Sequence, residues 1–347
     1  MKMKIKCYLN ILFSIIIIWI VVLLTFNYKS VIGLGKFLIG YTNYNYKSND
    51  PIPKNSEYKL LFDLVNLNQD LSVVPSSYLS TEPTCNKKLS ANDKINYFRM
   101  LFILKCLDSL DVKYDTIWVH DKYSRAPVYT CNIFIKPNES NEFTLITAHY
   151  DNLKIPGYQG ALDNSASVAI LLNTIQSCKE ILKSKNIAFL FTTFEEQGFM
   201  GAQEFLTYLK DHGFILKRVI CLDGIGRGKL SVMNNCLGSF GFKFRDYFFR
   251  EKLFTGSQFK DCPEYFKVDK SIIDLNKYNI KILHAFLSST DGRVFLKDGI
   301  PTIHLTSSDI PHFLKVMHTN NDRIDGLDYT SLKQCQEILY DIIKNVK

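Results

Sequence analysis

The longest apolar stretch of the chain lies at its start. Leu9–Phe26 reads LNILFSIIIIWIVVLLTF, with Asn10, Ser14 and Thr25 as its only polar positions. A run of about 18 residues is near the lower limit for a helix that crosses a bilayer. Lys2, Lys4 and Lys6 precede it, which favours a cytoplasmic tail over residues 1–8 and everything after residue 26 on the extracytoplasmic side, lumenal or extracellular. A cleaved signal peptide is the rival reading. It needs a small-x-small site, for which FNYKSVIGLG offers a weak candidate; the protein would then be secreted.

After this span the pattern loses its periodicity. Residues 27–87 hold Pro51, Pro53 and Pro75 among many Asn, Ser and Lys, and read as a stalk and irregular lead-in. From Ser90 a helix is predicted, with Ser90 or Asn92 as N-cap and Tyr97, Met100, Leu101, Leu104 and Leu107 at helical spacing, ending near Leu110. Strands and helices then alternate. Val128–Ile135 and Thr144–Ala148 read as strands, Ser165 to about Ser177 as a helix, and Ile187–Phe194 (IAFLFTTF) as a strand buried on both faces. A helix over Ala202–Asp211, a buried strand Val219–Leu222, a helix Asp291–Lys297, a strand Thr302–Thr306 and a last helix from about Ser331 to Ile343 follow. Residues 225–285 are rich in Phe and Tyr and less regular. Such alternation implies an α/β domain from residue 88 onward, with a mainly parallel mixed sheet between helices.

Polar residues placed where the apolar runs stop change this picture. TLITA ends in His149-Tyr150-Asp151, IAFLFTTF in Glu195-Glu196, and VICL in Asp223. In open α/β sheets the carboxyl edge is where ligands bind, so three strands delivering metal-competent side chains there suggest one site. His149 and Asp151, two apart on an extended chain, point the same way, which suits a metal-bound imidazole with a supporting carboxylate. Glu195 and Glu196 point to opposite sides and therefore serve different tasks. Asp163, in the loop Gly160–Ser167 that opens a helix, is either an N-cap or a carboxylate that bridges two cations. His318 sits in a polar loop before the last helix, while His304 lies in an apolar strand as a core histidine. His120, His212, His284 and His312 have no ligand partners at useful spacing.

Composition narrows the classes. Of 347 residues 46% are hydrophobic and 22% charged, with net charge +8, a globular make-up with a lysine-rich surface. With no arginine cluster or basic-aromatic stripe, nucleic acid is a poor partner. None of the nine cysteines forms a C-x-x-C pair, so the pattern gives no sign of a cysteine zinc site; Cys178 and Cys221 read as buried free thiols. Asn138-Glu139-Ser140 is a glycosylation sequon.

Taken in order, these motifs resemble those of the two-zinc exopeptidases of the twenty-eighth metallopeptidase family. His149-Tyr150-Asp151 is similar to the family's H-x-D, and Gly160–Asn164 to its G-A-x-D-N. Glu195–Gly201 is similar to its E-E-x-G-x-x-G and Asp223 to its aspartate after the next strand. Ser289-Thr290-Asp291 is similar to its serine-aspartate before a helix, Gly299-Ile300-Pro301 to its G-I-P strand, and His318–Asp322 to its H-T-x-x-D. The resemblance covers roughly residues 88–345 and implies a zinc exopeptidase domain of three α/β/α layers over 88–347. It implies two zinc ions, one held by His149, Asp163 and Asp223 and the other by Asp163, Glu196 and His318, with Asp163 bridging. Glu195 would be the general base and Asp151 would orient His149; cobalt or manganese would also suit these ligands. Peptide substrates are implied, cleaved most simply by an aminopeptidase. Leu162, Val168 and Thr290 depart from the family pattern outside the ligand positions. A glutaminyl-peptide cyclase is the alternative on the same fold, but it typically carries an insertion after the paired glutamates and a tryptophan before the last histidine. Here Gly198 and Gly201 follow directly and Met317 precedes His318. A non-catalytic binding relative would have lost ligands, and all five are present.

Overall fold

The computed structural model describes residues 47–54, 56–69, 91–119, 129–136, 140–153, 158–234, 276–284 and 290–345, with single positions 17, 155 and 273. Apart from Ile17, the apolar run 9–26 lies outside them, as do His120, Asn138 and Ser289. Among the described residues no helix is long and apolar enough to cross a membrane.

An eight-stranded mixed sheet forms the centre, in the order β1-β2-β4-β3-β5-β8-β6-β7. The strands are β1 (Asp115–Trp118), β2 (Cys131–Ile135), β3 (Glu142–His149), β4 (Ile187–Thr192), β5 (Ile215–Leu222), β6 (Leu230–Asn234), β7 (Lys281–His284) and β8 (Thr302–Ser307). β4, β3, β5 and β8 run parallel, and β6 and β7 are parallel to each other. β1–β2, β2–β4 and β6–β8 are antiparallel, so the sheet is mixed, as expected.

Successive residues of the central strands enter opposite halves of the core. In β4, Ile187, Phe189 and Phe191 pack toward one cluster and Ala188 and Leu190 toward the other; in β3, Ile146 and Leu145 divide the same way. This explains their unbroken apolar sequence: both faces are covered, so alternation is lost. One face is covered by α1 (Lys59–Gln69), α2 (Ala91–Ser109), α3 (Ala166–Leu182) and α7 (Tyr329–Asn345), the other by α4 (Met200–Asp211) and α5 (Gly292–Lys297). A short helix, α6 (Ile310–Val316), follows β8.

Three sequence readings are corrected. Residues 59–69 are not irregular lead-in: they form α1, whose Leu61, Leu64, Val65 and Leu67 are buried. β6 and β7 cross the 225–285 region read as irregular, and β1 was not anticipated. β4 stops at Thr192 rather than Phe194, because Phe194 takes a positive φ of 57° that turns the chain.

The segment before α1 is also fastened down. The Asp50 carboxylate accepts the N–H of Thr330 at 2.8 Å, at the start of α7, and Ser48 donates to Asp328. Removing residues 1–30 is therefore expected to leave the fold intact. Removing residues 1–87 deletes α1, and burying four aliphatic side chains is worth roughly 6–12 kcal/mol, comparable to the whole stability of a domain. Circular dichroism and protease resistance of the two truncations check this, and a cooperatively folded 88–347 fragment would contradict it.

Candidate metal centre

β3 is flanked by β4 on one side and β5 on the other, so the strand order reverses at β3 and opens a crevice beyond the carboxyl ends of these strands. The candidate residues meet there. His149 is the last residue of β3 and Asp223 follows the last residue of β5. Glu195 and Glu196 lie in the turn after β4, three and four residues beyond its end.

The turn carrying Asp163 is the least regular part. Ala161–Ser165 forms a single π-helical turn in which Asp163 and Asn164 have non-helical backbone angles, joined by a cis peptide bond. Neither Gly160 before the turn nor Ser165 before the helix behind it makes a side-chain capping hydrogen bond. Gly160 begins the turn with φ 56°, and a Cβ there would lie 2.4 Å from Asn152 Nδ2, so neither its angle nor its surroundings admit a side chain.

Asp163 faces both histidines. Its Oδ1 is 3.2 Å from His149 Nε2 and its Oδ2 3.5 Å from His318 Nε2. Asp223 Oδ1 is 3.8 Å from the same His149 nitrogen, and Glu196 Oε2 is 2.9 Å from His318 Nε2. Two donor sets result, His149–Asp163–Asp223 and Asp163–Glu196–His318, the ligand atoms of each lying within 4.8 Å of one another. Asp163 belongs to both. Asp151 Oδ1 is 3.6 Å from His149 Nδ1, long for a hydrogen bond. Its firmer contacts are with the chain after β4: it accepts the N–H of Glu195 at 3.1 Å and of Glu196 at 3.2 Å.

The electrostatics call for cations. Asp151, Asp163, Glu195, Asp223 and Asp291 are all buried, against His149 and the Arg99 guanidinium. Burial pushes the Glu195 carboxyl up to about 11, with Asp223, Asp291 and Asp151 adding to the rise against the pull of His149. Burial likewise raises Asp291 to about 7, opposed by the Thr192 hydroxyl that donates to it. Burial opposes ionisation of Asp163 too, yet the two histidines beside it hold it below the ordinary range. His318 rises to about 10 because Asp163 and Glu196 adjoin it. The two ring nitrogens of His149, Glu196 Oε1 and Asp223 Oδ1 are buried without a hydrogen-bond partner among the described residues. Buried polar atoms are normally satisfied, and unsatisfied ones converging from a histidine and two carboxylates fit divalent cations.

Three further residues shape the site without having been assigned roles from the sequence. Asp322 is buried, and its two oxygens accept the N–H groups of Leu162 at 2.7 Å and Asp163 at 3.1 Å. The segment that carries His318 thus also holds the Asp163 turn. Tyr158 donates to the Asp163 carbonyl at 3.2 Å, and Arg99 lies buried beneath Tyr150. Asp322 and Asp291 fall inside recognised motifs, but only the fold reveals what they touch. Among the other histidines, His312 is buried and His212 stacks on Tyr208. Cys178 and Cys221 are buried free thiols.

Residues 132–343 match the profile of Peptidase family M28. The chain is a member of that family. Among curated relatives it is 24% identical, over 263 residues, to a vacuolar membrane protease of Clavispora lusitaniae, in an alignment covering 73% of this chain and 21% of that protein. A vacuolar membrane protease of Saccharomyces cerevisiae is 26% identical over 211 residues, covering 54% and 20%. The chain spans about a fifth of the length of these relatives. Of solved structures, the fold is similar to a Bacteroides thetaiotaomicron glutaminyl cyclase bound to N-acetylhistamine, with TM-score 0.57, 16% identity and coverage of 86% of this chain and 100% of that one. It is also similar to the Legionella pneumophila LapA aminopeptidase, with TM-score 0.52, 14% identity and coverage of 86% and 76%. At these identities the likeness is one of fold.

Stripped of metal, this M28 protein is expected to lose stability as the pH rises from about 7 to 9. Glu195, Asp291 and Asp322, raised by burial to about 11, 7 and 7, bind protons more tightly folded than unfolded. Their contribution is complete below their unfolded values and is lost as the pH climbs through the folded ones. His318, raised to about 10, has the same sign. His312, lowered by burial to about 4, has the opposite sign but is neutral in both states above about pH 7. Thermal melting with a chelator present should fall by several degrees across this window, on the order of 5 °C or more, and zinc should flatten the slope. A melting point that rises with pH would contradict it.

Proposed function

We propose that the chain is a two-zinc exopeptidase that removes residues from the amino end of peptides, with its catalytic domain held on the extracytoplasmic face of a membrane by residues 9–26. The observation that carries this reading is the position of Asp163, whose two oxygens face two different histidines, each with a further carboxylate at hand. His149, Asp163 and Asp223 would hold one zinc and Asp163, Glu196 and His318 the other. Bound there, zinc would supply Lewis acidity toward the scissile carbonyl and lower the pKa of a water.

The remaining work belongs to the chain. Glu195 is buried and feels His149 and Asp223 most strongly among the charged groups. Its carboxylate takes the proton of the attacking water and returns it to the departing amine nitrogen. Asp151 holds Glu195 and Glu196 in place through their N–H groups, so that both keep their reach as the charge on the carbonyl oxygen develops. Membership of a peptidase family supports hydrolysis over cyclisation, as does Met317 where a cyclase typically has tryptophan. The relatives named as membrane proteases support the anchored arrangement.

The test is zinc analysis of the full-length chain in detergent, alongside a panel of free-amine peptides, amino-terminally blocked peptides and glutaminyl peptides. Two zinc ions and release of the first residue from free-amine peptides only are expected. Cleavage of blocked peptides from the carboxyl end would make it a carboxypeptidase, and ring closure of glutaminyl peptides a cyclase.

A further inference from the structure

Helix α2 precedes the segment that matches family M28, yet it reaches the candidate metal centre with two side chains. Arg99 is fully buried. A guanidinium in that position is costly unless its surroundings compensate it. Its Nε donates to the carbonyl oxygen of Tyr150, the residue between His149 and Asp151. Its Nη1 donates to Ser165 Oγ at 3.1 Å, the last residue of the turn that carries Asp163. The carboxylates of Asp151 and Asp163 both act on its charge, and burial lowers its pKa only to about 10, so it remains a cation.

Asn96 lies three positions earlier and therefore on the same face of the helix. It is buried, donates from Nδ2 to the Asn152 carbonyl at 3.2 Å and accepts the Asn152 N–H at 2.8 Å. Three hydrogen bonds thus run from one face of α2 to the backbone of residues 150–152, and a fourth to Ser165. The two segments gripped are those that supply His149 and Asp163, which are not otherwise consecutive in the chain.

We infer that Arg99, assisted by Asn96, is a positioning residue that fixes the His149–Asp151 segment and the Asp163 turn at the separation a metal pair requires. The inference rests on the two-metal reading above. Filling space alone would favour an apolar side chain, because an isosteric hydrophobe avoids the cost of burying charge. What the guanidinium adds is a rigid fork able to donate in two directions at once. A lysine carries the same charge but has a single nitrogen and cannot reproduce that geometry.

The experiment compares wild type with Arg99→Lys, Arg99→Met and Asn96→Ala, each as the full-length chain in detergent. Zinc affinity is measured by competition with a colorimetric chelator, thermal melting without metal, and kcat and KM on a free-amine peptide. The brace predicts that folded Arg99→Lys binds zinc about 10–100-fold more weakly and loses kcat in similar proportion, with KM within about twofold of wild type. Asn96→Ala should shift both in the same direction by less. Lower melting with wild-type zinc affinity and kcat would reduce Arg99 to a structural role and overturn the inference. Full rescue by lysine where methionine fails would show that charge alone matters and would also overturn it. If Arg99→Met does not fold, lysine and Asn96→Ala still decide. A wild type that binds no zinc would overturn the metal reading itself, and the brace with it.

Discussion

Asp163→Asn is expected to purify with less than about one zinc per chain, whereas His149→Ala and His318→Ala should each retain about one. The difference follows from geometry. One oxygen of Asp163 lies 3.2 Å from His149 and the other 3.5 Å from His318, so the residue belongs to both donor sets while each histidine belongs to one. Asparagine keeps the shape but offers one acceptor oxygen and an NH2 group with no free lone pair for a cation. One set loses a ligand outright, and the negative charge between the two cations disappears. The response to zinc separates this account from simple damage to the fold. Without metal, the variant should melt somewhat lower than wild type at neutral pH, because the two histidines that hold Asp163 ionised lose their shared partner. The rise in melting temperature on adding zinc, which measures binding to the folded state, should be largely lost. Retention of two zinc ions in Asp163→Asn would show that the carboxylate does not bridge.

The centre of the fold was legible because its strands are buried on both faces. Such strands write themselves as unbroken apolar runs, and each run that ended in His149, Glu195-Glu196 or Asp223 pointed to the same edge of one sheet. What escaped was whatever lacks that contrast. β1 is a four-residue edge strand with Trp118 exposed, and β6 and β7 pair at the far edge within a polar, aromatic-rich stretch. α1 has a clear apolar face, but the proline-rich surroundings obscured it. Arg99 was hidden for a different reason. Asn96 to Met100 are all buried, so α2 is enclosed around most of its girth at that point, and the usual assumption that a helical arginine faces water fails. Asp322 lay inside a recognised motif, but its role gave no local signal, since the N–H groups it holds lie about 160 positions earlier in the chain.

Glu195→Gln is expected to lower kcat by about 10²–10⁴-fold, the range for removing a positioned proton acceptor, with zinc content and KM little changed. Glutamine has the same length and can occupy the same buried place, but it cannot take a proton from water at neutral pH. Glu196 cannot substitute for it, because Glu196 Oε2 is turned toward His318 at 2.9 Å. The metal-free protein offers an independent check. Burial and the nearby Asp223, Asp291 and Asp151 raise Glu195 to about 11, well beyond Asp291 and Asp322, which both stop at about 7. Its protonation, together with that of His318, raised to about 10, therefore carries much of the expected fall in stability toward pH 9. The glutamine variant, already neutral, should show a shallower slope and a higher melting point at pH 9 than wild type when both are stripped of metal. Loss of turnover together with this flattened profile would place the base at Glu195 in a folded protein. If kcat stays within about tenfold of wild type while the profile flattens, Glu195 is the perturbed acid but not the base, and the proton acceptor must be sought at Asp291, the other buried carboxyl raised beside Asp223.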